Sequence, residues 1–336
     1  MTSIESEVSS RLPEGLRRAH RDVPTADGTS VPLYLFELPD GSDMEMVAVP
    51  AGDFIMGTDD ADAPDWEKPR HSHPMTGDYW IGRCDVTRAQ YQVFCDATGH
   101  TPPGAAHFED QLNGNTDTHP AVMVSWDDVK SYCAWAGLSM PTDAEWEKAA
   151  RGTDGRKYPW GDQWDRTRAN YLDASVPGDK ILMGNGSTMD EHMAQFGGRD
   201  LDYDDGFPYT SPVGSFPTGV SPYGALDMAG NVFNWVEDWW DDAGFPRTKN
   251  GDFSAPRNGT WRVDRGSSWG NPGVLACRTT MRYGYPPSER NEHLGFRVVL
   301  RSAAWRMLDG PANTVRRIDG ILLPNGKPNR QGAPSV

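Results

Sequence analysis

The sequence predicts an α+β fold with little regular secondary structure, built from short antiparallel strands and about three short helices. Three observations carry that prediction. Gly (36) and Pro (27) together make up about one residue in five of the 336, against a usual value of roughly 12%, which leaves little room for long helices. Hydrophobic residues amount to only 37%, yet 13 Trp, 11 Tyr and 11 Phe supply large rings, so a few big side chains must build a loop-rich core. Three helix-start signals lie among β-type runs, the mark of a mixed fold.

Taken in order, a strand is expected at Val31 to Glu37, where Val31, Leu33 and Leu35 alternate with Tyr34 and Phe36 and leave the buried face open. Further β-type runs follow at Met46 to Val49, Phe54 to Met56 and Tyr79 to Ile81. Thr87 with Gln90 forms a capping box that opens a helix carrying Tyr91, Phe94 and Cys95, stopped by Gly99. Ser125 with Asp128 opens a second, with Val129, Cys133 and Ala136 at helical spacing before Gly137. Thr142 with Glu145 opens a third, carrying Trp146, Ala149 and Ala150 up to Gly152. The last β-type runs are Trp261 to Asp264 and Gly295 to Leu300. Punctuation is even from residue 40 to 300 and no low-complexity linker divides it, so one domain is expected, followed by a Pro/Gly/Asn-rich arm over residues 302–336.

Asp and Glu outnumber Lys and Arg by 48 to 32, a net charge of −16 that disfavours nucleic acid as a partner and favours cations. The segment MTSIESEVSSRLPEGLRRAH has no apolar signal core, and no run reaches the roughly 18 apolar residues of a membrane span. Cys84, Cys95, Cys133 and Cys277 show no CxxC spacing, which argues against a disulfide framework or a zinc knuckle. A cytoplasmic protein without membrane or nucleic-acid partners is the expectation; the oligomeric state stays open.

Nine ordered blocks define a pattern: VAVPAGDFIMGT (47–58), YWIGRCDVTRAQYQVF (79–94), HPAVMVSWDDVKSYCAWAG (119–137), MPTDAEWEKAARG (140–152), YPWGD (158–162), SPVGSFP (211–217), SPYGALDMAGNVFNWVED (221–238), RGSSW (265–269) and GFRVV (295–299). The chain resembles the sulfatase-modifying-factor family, whose best-known member is the formylglycine-generating enzyme. The resemblance covers roughly residues 45–301 and leaves 1–44 as an N-terminal extension. It implies the formylglycine-generating-enzyme-like variant of the C-type lectin fold, with bound calcium.

The resemblance also locates a departure. The family's enzyme oxidises a substrate cysteine with copper(I) held by two cysteines shortly after its RGGS block, and soft thiolates suit that ion. Here WGNPGVLACRTTMR follows Arg265 to Ser268, and a gap-free alignment puts Asn271 and Ala276 at those positions. Aligning instead on Arg278 and Arg282 leaves Cys277 beside an arginine. Either alignment retains one cysteine at most, so the standard copper-cysteine chemistry is expected to be absent. Cys277 reads as an Arg278-activated thiolate or as a small buried residue.

Calcium ligands carry over by block. Asn170, Tyr171, Asp205 and Phe207 match the first site of the family, through the Asn and Asp side chains and the Tyr and Phe carbonyls, a mixture that suits a hard cation. Asp227 and Asn234 through side chains, with Gly230 and Val232 through carbonyls, match the second, although the family usually has Glu where Asn234 stands. A plain acidic turn is the alternative for Asp204 and Asp205. Independently of the family, His71 and His73 would share one face of a strand, as two ligands of a further, redox-active metal would, with His107, His119 or His293 as unfixed third candidates.

The family's cleft maps to Ser268, Trp269, Asn271, Arg278 and Arg282, with His293 in the loop before the last strand. Ser268, Asn271, Cys277 and Arg282 are the catalytic candidates; Trp269, Arg278, Arg282 and His293 are the candidates for holding a peptide or small-molecule ligand. Arg282 could clamp a carboxylate or bond loop carbonyls. Trp235 reads as core, and Trp239 and Trp240 cannot both be buried on one strand. Two functions remain: a tailoring enzyme acting on a peptide or amino-acid-derived substrate by non-standard chemistry, or a calcium-stabilised lectin-like binding module with YGYPPSERNEH as its recognition surface.

Overall fold

The three predicted capping boxes all form in the computed structural model, which describes residues 12–106, 116–179, 188–194 and 197–302. Strands β1 (Leu16–Pro24), β2 (Ser30–Glu37), β3 (Asp43–Val49), β4 (Phe54–Met56), β5 (His71–His73) and β6 (Tyr79–Gly82) come first. Helices α1 (Arg88–Thr98), α2 (Trp126–Ala136) and α3 (Asp143–Arg151) follow, and then the short α4 (Met189–Met193). The chain continues through β7 (Phe233–Trp239), α5 (Gly244–Lys249), β8 (Arg262–Arg265), α6 (Gly273–Ala276), β9 (Arg282–Tyr285), β10 (Leu294–Phe296) and β11 (Val299–Arg301).

Helices α1 and α2 are each capped by a Ser or Thr side chain that accepts from the backbone three residues on, while that residue's side chain accepts in return. Both stop at a glycine, Gly99 or Gly137, held at a φ of 72° that a side chain would disfavour. Helix α4 carries the same reciprocal box between Thr188 and Glu191.

Two sheets organise the rest. One has the order β1-β2-β3-β6-β11 and the other β10-β7-β8-β9. Strands β1 and β2 extend the first sheet beyond β3, each antiparallel to its neighbour, so the described part of the expected N-terminal extension belongs to that sheet. A run expected as one strand at Gly295 to Leu300 divides instead: β10 pairs parallel with β7, and β11 pairs antiparallel with β6. The second sheet is therefore mixed rather than antiparallel. Between β10 and β11, the side chain of Arg297 turns inward and is fully buried. The C-terminal arm beyond residue 302 lies outside the described residues.

The core contains Trp80, Trp146, Trp235 and Trp269, all fully buried, as the composition requires. At ~25 cal/mol per Å2, rings of this size are large contributors to burial free energy. Trp235 lies on strand β7, and Trp239 and Trp240 are both half-buried. Among the described residues, no helix is long and apolar enough to cross a membrane.

Candidate functional site

The segment after β8 builds the candidate site. Ser267 adopts a positive φ of 69° and turns the chain so that Ser268 and Trp269 enter the core. Ser268 Oγ donates to Asn271 Oδ1 at 2.6 Å and lies 3.2 Å from His293 Nδ1. The His293 ring stacks on Trp269 with centroids 4.4 Å apart and 24° between planes. Gly270 permits this approach, since a Cβ there would meet His293 Cε1 at 2.6 Å and Met189 Cε at 2.3 Å. Thus Ser268, Trp269, Asn271 and His293 converge, with α4 packed over them through Met189. Asn271 and His293 are half-buried, and Val274 is exposed.

The other cleft candidates point elsewhere. Cys277 has no solvent exposure, and burial pushes its thiol up to about 12, so a thiolate activated by Arg278 is not formed. All four cysteines are free thiols. Arg278 donates to Glu67 Oε1 at 3.1 Å, and Thr280 Oγ1 donates to the other oxygen of the same buried carboxylate at 2.5 Å. Arg282 pairs with Asp143 at 2.7 Å, donates to the Trp66 carbonyl at 3.2 Å and lies over the rings of Trp240 and Phe245 at 4.9 and 4.6 Å. Of the two readings of Arg282, the bond to a loop carbonyl is the one that forms, and Arg278, a ligand-binding candidate by sequence, pairs with Glu67 instead. Both guanidiniums are buried and join the loop before β5, Arg282 from β9 and Arg278 from the turn before it, with Arg278 Nε and Nη1 and Arg282 Nε left without hydrogen-bond partners.

Around Asp143 the charges interlock. Arg265 donates to Asp143 and, at 2.8 Å, to Glu147 Oε2, while Arg151 donates to Glu147 Oε1 at 2.7 Å. Burial alone would raise the Asp143 carboxyl, but Arg265 and Arg282 outweigh it and hold it below its ordinary 3.8.

The first calcium set fits a hard cation on the structure's own evidence. Asn170 is buried and its Nδ2 donates to the Tyr209 carbonyl at 2.8 Å, which leaves Oδ1 buried without a partner. Asp205 Oδ1 accepts from Phe207 N at 2.8 Å, while its Oδ2 is buried and unpartnered. Burial, with Asp173 adding repulsion, pushes the Asp205 carboxyl up to about 7. Two orphaned oxygens in one loop cluster are what a bound cation would satisfy. The cluster is tied to the cleft, because Leu172 N, next to Tyr171, donates to the Asn271 carbonyl at 3.0 Å.

In the second set the Asn234 oxygen is already engaged. Asn234 Oδ1 accepts from Trp146 Nε1 at 2.9 Å and from Arg297 Nε at 2.7 Å, which uses both lone pairs. Asp227 Oδ2 accepts from Gly214 N at 2.7 Å, and Gly230 packs its Cα directly against the Asn170 carbonyl. Val232 is core.

His71 and His73 do share a side of β5, with ring centroids 6.0 Å apart. Both nitrogens of His71 are engaged, with the Pro69 carbonyl at 2.9 Å and Thr248 Oγ1 at 2.8 Å. His73 packs against Phe54 and Phe253, and burial first, then His71, pushes it down to about 4. Among the described residues no set of three His, Cys, Asp or Glu is placed to hold one ion. His119 bonds Thr210 Oγ1 at 3.0 Å, His293 is at the cleft, and His107 lies outside the described residues.

Sequence reasoning missed the aromatic surface next to the cleft. A shallow hollow of about 630 Å3 is lined by Trp160, Asp162, Gln163, Trp164 and Arg166. Tyr158, stacked under Trp160, donates its hydroxyl to the Val274 carbonyl at 2.8 Å, and Trp164 packs on Gly273. The ring spacing in YPWGDQW was the available signal.

Residues 35–302 match the model of the sulfatase-modifying factor enzyme 1-like domain. A formylglycine-generating enzyme of Thermomonospora curvata is 31% identical over 327 aligned positions, covering 80% of this chain and 98% of the relative. An inactive C-alpha-formylglycine-generating enzyme 2 of Bos taurus is 28% identical, covering 78% and 89%. Among solved structures, PvdO of Pseudomonas aeruginosa superposes with a TM-score of 0.58 at 28% identity, covering 80% of this chain and 97% of that one. With its lectin-like sheets and its nine blocks in order, the chain belongs to the sulfatase-modifying factor family and has the formylglycine-generating-enzyme-like fold.

Proposed function

We propose that this protein is a calcium-stabilised member of the family that binds a peptide or amino-acid-derived ligand and does not perform copper-cysteine oxidation. The observation that carries the reading is the thiol inventory of the segment after RGSSW: Cys277 is its one cysteine, and it is fully buried. A buried thiol whose titration lies near 12 supplies neither a second copper ligand nor a nucleophile at neutral pH. What the cleft offers is a half-buried amide and imidazole beside a shallow hollow lined by Trp160 and Trp164. Calcium at Asn170, Tyr171, Asp205 and Phe207 would brace the loop that bonds Asn271.

The test is oxygen uptake by protein incubated with copper(I), a reductant and a cysteine-containing peptide, with mass analysis of the peptide. No uptake and an unmodified cysteine are expected; stoichiometric conversion to formylglycine would overturn the reading.

A second reading is favoured by the hydrogen-bonded trio of Ser268, Asn271 and His293. It makes the protein a tailoring enzyme with chemistry of another type, in which Nδ1 of His293 donates to Ser268 and orients the ring, and the other ring nitrogen exchanges a proton with a bound substrate. A His293→Gln variant that keeps ligand binding but abolishes turnover of a peptide modified by the wild type would support it.

A further inference from the structure

A carboxylate oxygen of Asp62 stands between two cations and reaches neither closely. Its Oδ2 lies 3.5 Å from Lys157 Nζ and 3.8 Å from Arg278 Nη1. Charge-assisted bonds of this kind close to about 2.7–2.9 Å where the oxygen is free to approach. Lys157 has Asp60 as a second neighbour, also at 3.5 Å. Arg278 is fixed from behind, because Nη2 donates to the buried Glu67 and Thr280 holds that carboxylate by its other oxygen. The Arg278 side chain is 4% exposed, and its Nη1 is buried with no hydrogen-bond partner. An unsatisfied donor on a buried guanidinium is destabilising, and a well-placed acceptor removes that cost.

The cations and the carboxylate are held differently. Thr279 N donates to the Lys157 carbonyl at 2.8 Å, so the two cations belong to segments that run side by side. Asp62 belongs to the loop between β4 and β5, where residues 59–62 are all exposed, and its own side chain is 49% exposed. It can turn out into water without breaking a short bond. Burial alone would raise its carboxyl, but Lys157 and then Arg278 outweigh burial and hold it below 3.8, so negative charge is favoured at this place. The nearby Arg156 is already taken by Asp154 at 2.7 Å and Asp27 at 3.0 Å. The aromatic hollow adjoins, since Tyr158 follows Lys157 and stacks under Trp160.

We propose that Lys157 and Arg278 form a binding site for an oxyanion, the carboxylate or phosphate group of a ligand, which enters by displacing Asp62. Asp62 is then a tethered competitor: it supplies one oxygen at long range, whereas an untethered oxyanion brings an oxygen to each cation at hydrogen-bonding distance. The site lies apart from the Ser268–Asn271–His293 cleft and does not rest on the ligand reading made for that cleft.

The experiment is isothermal titration of the full chain at pH 7 and low ionic strength with inorganic phosphate and, separately, with succinate. The wild type is compared with Asp62→Asn and Lys157→Gln, which alter side chains outside the packed core. Asp62→Asn should bind about fivefold more tightly, the effect of removing one exposed ion pair, and Lys157→Gln more weakly by at least that factor. Salt at about 0.15 M should weaken binding throughout. Tighter binding of phosphate than of succinate would support the site and assign it a phosphate-bearing ligand; the reverse order would support it and assign a carboxylate. Failure of Asp62→Asn to bind either anion would overturn the proposal. So would binding whose affinity neither substitution changes, since the anion would then lie elsewhere.

Discussion

Replacing Arg282 by alanine separates a structural arginine from a ligand-binding one. The side chain makes a charge-assisted bond to Asp143, worth ~1.5–3 kcal/mol, and a neutral bond to the Trp66 carbonyl, worth ~1 kcal/mol. Its stacking on Trp240 and Phe245 adds roughly 0.5–1 kcal/mol each. Asp143 keeps Arg265 as a partner, so the cost stays near the low end of the ~3–5 kcal/mol seen when a buried pair is broken outright. A loss of about 3 kcal/mol follows, or roughly 6–12 °C in melting temperature for a domain of this size. Urea denaturation at pH 7 measures it. The pH dependence adds a second check. Because the arginines hold Asp143 below 3.8, its stabilisation is present above 3.8 and is lost as pH falls through the lower folded-state value. The gap between wild type and variant should therefore narrow in acid. A variant within ~1 kcal/mol of the wild type that loses ligand affinity would refute the structural assignment.

Cys277 should resist a mild alkylating reagent at pH 8 in the native protein and react fully in denaturant, as mass spectrometry would show. His73 remains neutral in the folded state down to about pH 4 but protonates near 6.5 when unfolded, so it removes stability as pH falls through that window. His73→Phe should flatten that part of the stability profile by roughly 2 kcal/mol, read by denaturant midpoints at pH 7 and pH 4.5. Gly230→Ala should fail to reach a native fold or lose well over ~3 kcal/mol, because its Cβ would lie 2.1 Å from the Asn170 carbonyl at a φ of 80°. Circular dichroism and soluble yield report it.

Helix starts were legible because a capping box is local: Thr87, Ser125 and Thr142 each declare themselves within four residues. Thr188 and Glu191 form the same box and escaped notice, since α4 has too few residues to show an apolar stripe. Strands β1 and β9 were missed for the opposite reason. Leu16–Pro24 alternates poorly because β1 is an edge strand with most of its residues exposed, and Arg282–Tyr285 reads as polar although two of its four residues are buried. At the site, the departure from the copper-cysteine pattern and the candidates Ser268, Asn271 and His293 are legible by position, whereas their mutual contact is not. The fate of the arginines was not, because the carboxylates that claim them, Glu67 and Asp143, lie far away in sequence. Ion pairing of that kind has no local signature.

The way the last strands close the domain has a consequence for its making. Arg297 reaches Gly82 across 215 positions, β11 completes the sheet begun by β1 to β3, and β10 pairs with β7. Contacts so distant along the chain slow folding, since a large loop must close before they form. During synthesis, neither main sheet can be finished until the ribosome has released residues 294–301, and until then β6 and β7 each lack a neighbour. Until those residues emerge, the edges of β6 and β7 stay open, the kind of exposure that favours misassembly.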